Sequence, residues 1–368
     1  MRIAIDLRVH DWTGIGRIAK GYAKYIPEAM PEYSFIFILN PGQADSITFK
    51  NVIKEYIPYK TFDFREHYAI WKILKQYSDI KVFHALHFNT PFIIPAGIKL
   101  VSNIYDLAYE YTDDAFRTIF HKMYYNIFFT RTLDKSNKII SQSNFTKKDL
   151  YKYYKHSSSE VIYPGFNPKE WKNKELMNSN EYEEIFKDDY ILFVGINHPR
   201  KNLKLLVEVF TEIIKTNPLL KTKLVIVGKN EDTRYNISKD IIQKEIEDKI
   251  KLLGFVKDDF LKVLYKNAMI YIIPSLIESG YSYPALEAAS FGVPIMANEY
   301  DMQEFGKNAL RYFNAIDADD FKIKLEEFLL NKNLRKEYSE RALKWSGSFP
   351  WSNYINNLKN IYNLFLND

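Results

Sequence analysis

A chain of 368 residues is long enough for two ordinary domains, each burying its own core. Its composition, 46% hydrophobic and 26% charged, excludes disorder, and the lack of cysteine excludes disulfides and thiolate metal sites and points to a reducing interior. A net charge of +5 suits an anionic small molecule or an anionic lipid surface, and is too weak and dispersed for nucleic acid.

The opening MRIAIDLR reads as a strand and not as a signal peptide, and no window reaches the ~18 uncharged apolar residues of a spanning helix. Strands are expected over Arg2–Leu7, Phe35–Leu39, Val52–Ile57, Lys81–Leu86, Leu100–Ile104, Lys138–Ser141 and Glu160–Tyr163, with helices near Ile15–Ile26, Glu66–Tyr77, Ala115–Leu133 and Lys147–Tyr154. His84 and His87 fall in an apolar strand-to-loop stretch without a neighbouring carboxylate, so no metal site is expected there. The helix around Phe116–Lys135 mixes aromatic and basic residues. Core packing is the favoured reading, and contact with a lipid surface the alternative.

From Phe166 to Asp189 the text turns polar and reads as a connection between domains. A second series follows, with strands at Tyr190–Val194, Lys223–Val227, Ile250–Leu253, Met269–Ile273 and Val293–Ala297. The clearest helix begins after Pro199, with apolar residues at 203, 206, 207, 210, 213 and 214, one face of a 3.6-residue period. Phe349–Phe365 is a last amphipathic helix that can pack on either domain. Strands alternating with helices predict parallel sheets and two Rossmann-like α/β domains, with ligands at the carboxyl ends of the strands.

Four stretches can carry chemistry. GINHPRKN, Gly195–Asn202, places Arg200 and Lys201 where a strand gives way to a helix, a natural seat for a diphosphate; a solvated basic helix start is the plainer alternative. PSLIESGYSYPALEAASFGVP, Pro274–Pro294, carries Glu278 and Glu287 around a glycine-containing loop. These acids could accept ribose and sugar hydroxyls, or Glu278 could be a surface residue and Glu287 a helix-dipole partner. Gly14 and Gly16 lie between the first strand and first helix, where a backbone can approach a ligand, or where the chain needs only a tight turn. Tyr105 and Asp106 close a strand, as cleft residues or as a buried tyrosine with a capping acid.

In this order the four stretches resemble glycosyltransferase family 4, retaining enzymes of the GT-B fold. ILFVGINHPRKNLKLLVEVF, KLVIVGK, LLGFVKDDFLKVLYKNA and IIPSLIESGYSYPALEAASFGVPIMAN follow the family order over Tyr190–Asn298. MRIAIDLRVHDWTGIGR, FHALHFNTP, NIYDLAYEY, IISQSNFTKKDL and VIYPGFN look like its O-antigen-type mannosyltransferase branch. The resemblance implies two Rossmann-like domains with a cleft between them: 1–166, an acceptor domain with 350–368 packed back on it, and 167–349, the donor domain.

It further implies that Lys201 and Arg200 hold the donor diphosphate, with Gly195 and Asn202 in the same motif. Glu287 would bind the ribose, while Glu278, Ser279, Gly280 and Tyr281 would lie near the donor sugar. Gly254, Phe255 and Val256 would sit beside the base, and Gly14, Gly16, Tyr105 and Asp106 would contribute from the first domain. Glu278 and Glu287 are nine apart where the family has eight, so either Glu278 or Ser279 fills the first-glutamate position. Ile196 stands where the family often has arginine, and Tyr105 where it has histidine.

The function implied is metal-independent, retaining hexosyl transfer from a GDP- or UDP-sugar to a glycan, lipid-linked or other hydroxyl acceptor. No cofactor beyond the nucleotide-sugar co-substrate is implied. The expected location is cytoplasmic, with peripheral contact to the inner face of a membrane. A non-catalytic nucleotide-sugar-binding scaffold and a nucleotide-sugar epimerase are the alternatives.

Overall fold

The computed structural model describes residues 1–366 apart from 13, 45–46, 112–117, 173–184, 230–235 and 244–245. The chain divides into two compact units, Met1–Gly165 with Phe349–Asp368, and Phe166–Ser348.

In the first unit seven parallel strands form one sheet among the described residues: β1 (Arg2–Asp6), β2 (Ser34–Leu39), β3 (Val52–Tyr56), β4 (Ile80–Ala85), β5 (Lys99–Ile104), β6 (Lys138–Ser141) and β7 (Glu160–Val161). Their order is β3-β2-β1-β4-β5-β6-β7. Central β1 and β2 read as nearly unbroken apolar runs because helices cover both faces of a parallel sheet. The carboxyl ends of β1 and β4 are therefore neighbours at the point where strand order reverses.

The helix Trp351–Leu366 belongs to this unit although it closes the chain. Trp351 seats its ring against Gly21 and Gly165, where a Cβ on Gly21 would lie 1.8 Å from the indole. Deeper in, Tyr354 pairs with the Tyr22 hydroxyl, and Tyr362 meets His84 Nδ1 at 2.7 Å. His84 Nε2 faces Asn103 Oδ1 at 2.9 Å, so the neutral ring donates to Asn103 and accepts from Tyr362. Both ring nitrogens are thus engaged, Nδ1 with the terminal helix and Nε2 with β5.

In the second unit six parallel strands among the described residues, β8 (Tyr190–Val194), β9 (Lys223–Val227), β10 (Ile250–Gly254), β11 (Ile270–Ile273), β12 (Ile295–Asn298) and β13 (Arg311–Phe313), are ordered β10-β9-β8-β11-β12-β13. The helix Leu203–Thr216 buries Leu203, Leu206, Val207, Phe210, Ile213 and Ile214, the predicted stripe, against Ile191, Phe193, Leu224 and Ile226. Strand β13 and the helices Ala318–Leu330 and Lys332–Ser346 lie beyond the last predicted strand.

Two expectations change. The helix expected from Ala115 is described over Ile119–Lys135, with 115–117 outside the described residues. Core packing accounts for only one face of it: Tyr125, Phe128, Phe129 and Leu133 are buried, while Ile119, Phe120, Met123 and Ile127 are 74%, 71%, 54% and 52% exposed. Apolar residues lie on both faces, which erases the amphipathic signal a sequence reading relies on.

Candidate functional site

The site of the second unit gathers at the carboxyl ends of β8, β11 and β12. Two glycines let β8 and β9 run out side by side: a Cβ on Gly228, whose φ is +143°, would lie 1.8 Å from the Gly195 carbonyl oxygen. Gly195 N–H donates to the Val227 carbonyl at 2.9 Å.

Beyond Gly195 the chain forms a single 3₁₀ turn, Pro199–Lys201, then Asn202 in the left-handed region, and only then the long helix. Arg200 and Lys201 thus stand on a turn before the helix, a correction to the expectation that they begin it. A proline at the first position of the turn and a left-handed residue at its end force the break. Asn202 is held by donation from its Nδ2 to the Ala315 carbonyl at 2.8 Å.

That turn is stitched to the loop after β11. Leu276 N–H donates to the Arg200 carbonyl at 2.8 Å, and Arg200 Nη1 donates to the Ile277 carbonyl at 3.3 Å. Glu278 is thereby brought to Lys201. Its Oε1 accepts from Lys201 Nζ and from Ser275 Oγ. Both charged side chains are 11% exposed, so the pair is largely withdrawn from water. Burial raises the Glu278 pKa, but Lys201, Arg200 and the Ser275 hydroxyl outweigh it and leave the carboxyl below its ordinary range. Burial lowers the Lys201 pKa, with Glu278 opposing and Arg200 assisting the shift.

Glu287, on the helix Tyr283–Ser290, is buried and accepts from the Tyr265 hydroxyl at 3.2 Å. The two glutamates flank one residue: Tyr271 on β11 is pushed well above its ordinary value first by burial, then by the charges of Glu278 and Glu287. Ser279, Gly280 and Tyr281 are buried in the loop between them, and Ser279 and Gly280 both have left-handed φ, +60° and +72°. Gly254, with φ +63°, has open space where a Cβ would be. Phe255 beside it is exposed, with Lys229 Nζ 5.9 Å from its ring, and Val256 is half-buried.

Sequence reasoning missed three residues here. Asp301, Asn298 and Ser275 are polar residues at or just after strand ends, and that position was the available signal. Asn298 joins three elements, donating to the Ser275 carbonyl at 3.0 Å and accepting from Ala315 N–H at 3.3 Å. Asp301 accepts from the backbone N–H groups of Glu278 and Ser279.

The remaining predicted residues are in the first unit. Gly14 begins the helix Gly14–Ala29 with open space at its Cβ position. Gly16 is buried, and a Cβ there would lie 2.6 Å from the His10 carbonyl oxygen, so the close approach is made by the chain's own preceding turn. Tyr105 is buried and takes a hydrogen bond from Asn103 Nδ2 at 3.2 Å, while Asp106 accepts from Ala108 N–H at 3.1 Å. Sequence reasoning also missed Arg8, buried between Asp6 and Glu66; burial, then the charge of Asp6, against the pull of Arg8, leaves the Glu66 pKa at about 7.

Residues 177–345 match the family model described as Glycosyl transferases group 1. The O-antigen chain mannosyltransferase B of Escherichia coli is 22% identical over 304 residues, 79% of this chain and 76% of that protein. Among solved structures, sucrose-phosphate synthase from Thermosynechococcus elongatus has a TM-score of 0.75 at 15% identity, covering 99% of this chain and 98% of that one. Anabaena HepE in complex with UDP-glucose has a TM-score of 0.75 at 12% identity, covering 99% of both chains. The fold is the α/β, two-Rossmann-domain architecture of GT-B glycosyltransferases. Sequence and fold relatives together support a glycosyltransferase.

Proposed function

We propose that the chain is a retaining, metal-independent glycosyltransferase of family 4 that moves a hexosyl group from a GDP- or UDP-sugar to a glycan or lipid-linked hydroxyl. The observation that carries this is the withdrawn Lys201–Glu278 pair beside Arg200 at the carboxyl ends of β8 and β11. Two cations there can take the charge that grows on a departing nucleoside diphosphate, the service a divalent metal would otherwise provide. Lys201 has three N–H donors, so it can keep Glu278 and still meet phosphate oxygens.

Glu287 carries the ribose. Its buried carboxylate, fixed by the Tyr265 hydroxyl, is an acceptor suited to sugar hydroxyls. Glu278 orients Lys201 and lies by the donor sugar, and the segment from the exposed Gly254 and Phe255 to the half-buried Val256 meets the base. The glycosidic bond breaks toward the cations, the anomeric carbon passes through an oxocarbenium-like state, and the acceptor hydroxyl attacks from the leaving-group face, its proton passing to the departing phosphate oxygen. No covalent carboxylate intermediate of the glycosidase kind is invoked.

Among the described residues no helix is long and apolar enough to cross a membrane. The chain instead meets the inner surface of a cytoplasmic membrane through the exposed face of the helix Ile119–Lys135. That face continues through the half-buried Tyr124, whose ring meets the exposed Phe64. Lys122 and Arg131 on the same helix supply charge for anionic headgroups.

A thermal-shift screen with UDP, GDP, ADP and their sugars tests the proposal. A selective rise with one nucleotide family, lost in Glu287→Ala, is expected. No shift with any of them would remove the proposed function.

A further inference from the structure

We infer that Asp301 is a positioning residue, which clamps the enlarged Glu278–Gly280 loop so that Glu278 is delivered to Lys201. The inference rests on the transferase reading and concerns a residue that contacts neither diphosphate nor sugar in that reading.

Asp301 lies on the helix Glu299–Gly306 and is 2% exposed. One of its oxygens, Oδ2, accepts the backbone N–H of Glu278 and of Ser279, and the Gly280 amide adds to its stabilisation. The loop it grips holds two consecutive left-handed residues, Ser279 and Gly280. A non-glycine residue adopts that region only when its surroundings impose it. Successive amides turned to one side form an anion-holding concavity, and here the anion is supplied by the protein itself. The loop is also where the glutamate spacing exceeds that of the resembled family by one residue. Asp301 absorbs that extra residue by coiling it, which leaves Glu278, and not Ser279, facing Lys201.

The arrangement is costly, which argues that it does more than fill space. The other oxygen, Oδ1, is buried with no hydrogen-bond partner among the described residues. Burial, then the neighbouring charge of Glu278, pushes the Asp301 carboxyl up to about 7. A neutral side chain would avoid both penalties. A carboxylate is retained because a charged acceptor binds the loop amides more strongly than a neutral one and because its charge also favours the protonated form of Lys201.

The test compares wild type with D301N and D301A, using the nucleotide sugar that stabilises the wild type and scaling turnover to the fraction of protein that binds nucleotide. D301A should lower kcat at least 30-fold, as expected when a catalytic cation is displaced by about 1 Å. The Kd for the nucleoside itself, which carries no phosphate for Lys201 to meet, should stay within threefold, because Glu287 and the Gly254 segment hold the ribose and base. D301N, which keeps one accepting oxygen, should return to within fivefold of wild type. A D301A enzyme within threefold of wild type, or a D301N enzyme as slow as D301A, overturns the inference. Should D301A fail to fold, D301S takes its place with the same thresholds, its hydroxyl being too short to span two amides. Failure of the wild type to bind any nucleotide sugar would instead refute the transferase reading, so the two failures are distinguishable.

Discussion

Replacing Lys201 by alanine separates the catalytic from the structural part of the site. The deletion leaves Glu278, 11% exposed, with the Ser275 hydroxyl and the more distant Arg200 charge as its compensation among the described residues. Removing one partner of a fully buried pair costs about 3–5 kcal/mol. With Arg200 present and some water access, about 2–3 kcal/mol is the reasonable figure here. Losing one of two cations from a leaving diphosphate should cost a further 10²–10³ in turnover, or about 3–4 kcal/mol of transition-state stabilisation. The stability part is read by urea denaturation at pH 7.5, and the catalytic part by steady-state release of nucleotide in the presence of acceptor. The double variant K201A/E278Q should regain most of the lost stability, because a neutral amide no longer requires a cation, yet it should remain as slow as K201A. Turnover of K201A within tenfold of wild type, or recovery of turnover in the double variant, would show that Lys201 serves folding and not the leaving group.

Gly21→Ala should destabilise the first unit by about 3 kcal/mol despite alanine's better helix propensity, since its Cβ would lie 1.8 Å from the Trp351 ring and evict it. In a W351A background the same change should be neutral or mildly stabilising, as read from urea midpoints. His84 is buried and its pKa is lowered to about 4 by desolvation, so the native ring stays neutral while the unfolded chain protonates near 6.5. Its contribution is whole above pH 6.5 and is lost as the pH falls toward 4, a swing of about 3 kcal/mol that His84→Gln should remove from the pH dependence of the urea midpoint. Vesicles rich in anionic phospholipid should carry the protein upward in a flotation gradient. F120S/I127S should abolish this without changing the melting temperature, and unchanged flotation would refute the lipid-facing role of the helix.

Most strands were legible because each buried strand carries its own apolar run, and a parallel sheet demands such runs locally. Strand β13, only three residues with two half-buried, carries too little signal to be read. The two-faced helix Ile119–Lys135 was misleading for the opposite reason: its exposed apolar face is as hydrophobic as its buried one, so periodicity could not say which surface met solvent.

For the site, residue types and order in the chain were enough to single out Arg200, Lys201, Glu278 and Glu287. Motif position relative to strand ends is a property of sequence, since parallel sheets put function at their carboxyl edges. Only the tertiary structure decided how those residues are arranged. It put the cations on a turn ahead of the helix, chose Glu278 over Ser279 to face Lys201, and brought Asp301 under the loop from 23 residues away. Such contacts join groups distant along the chain, and their energies depend on burial and on which charges share a pocket. Neither quantity is carried by any single stretch of residues.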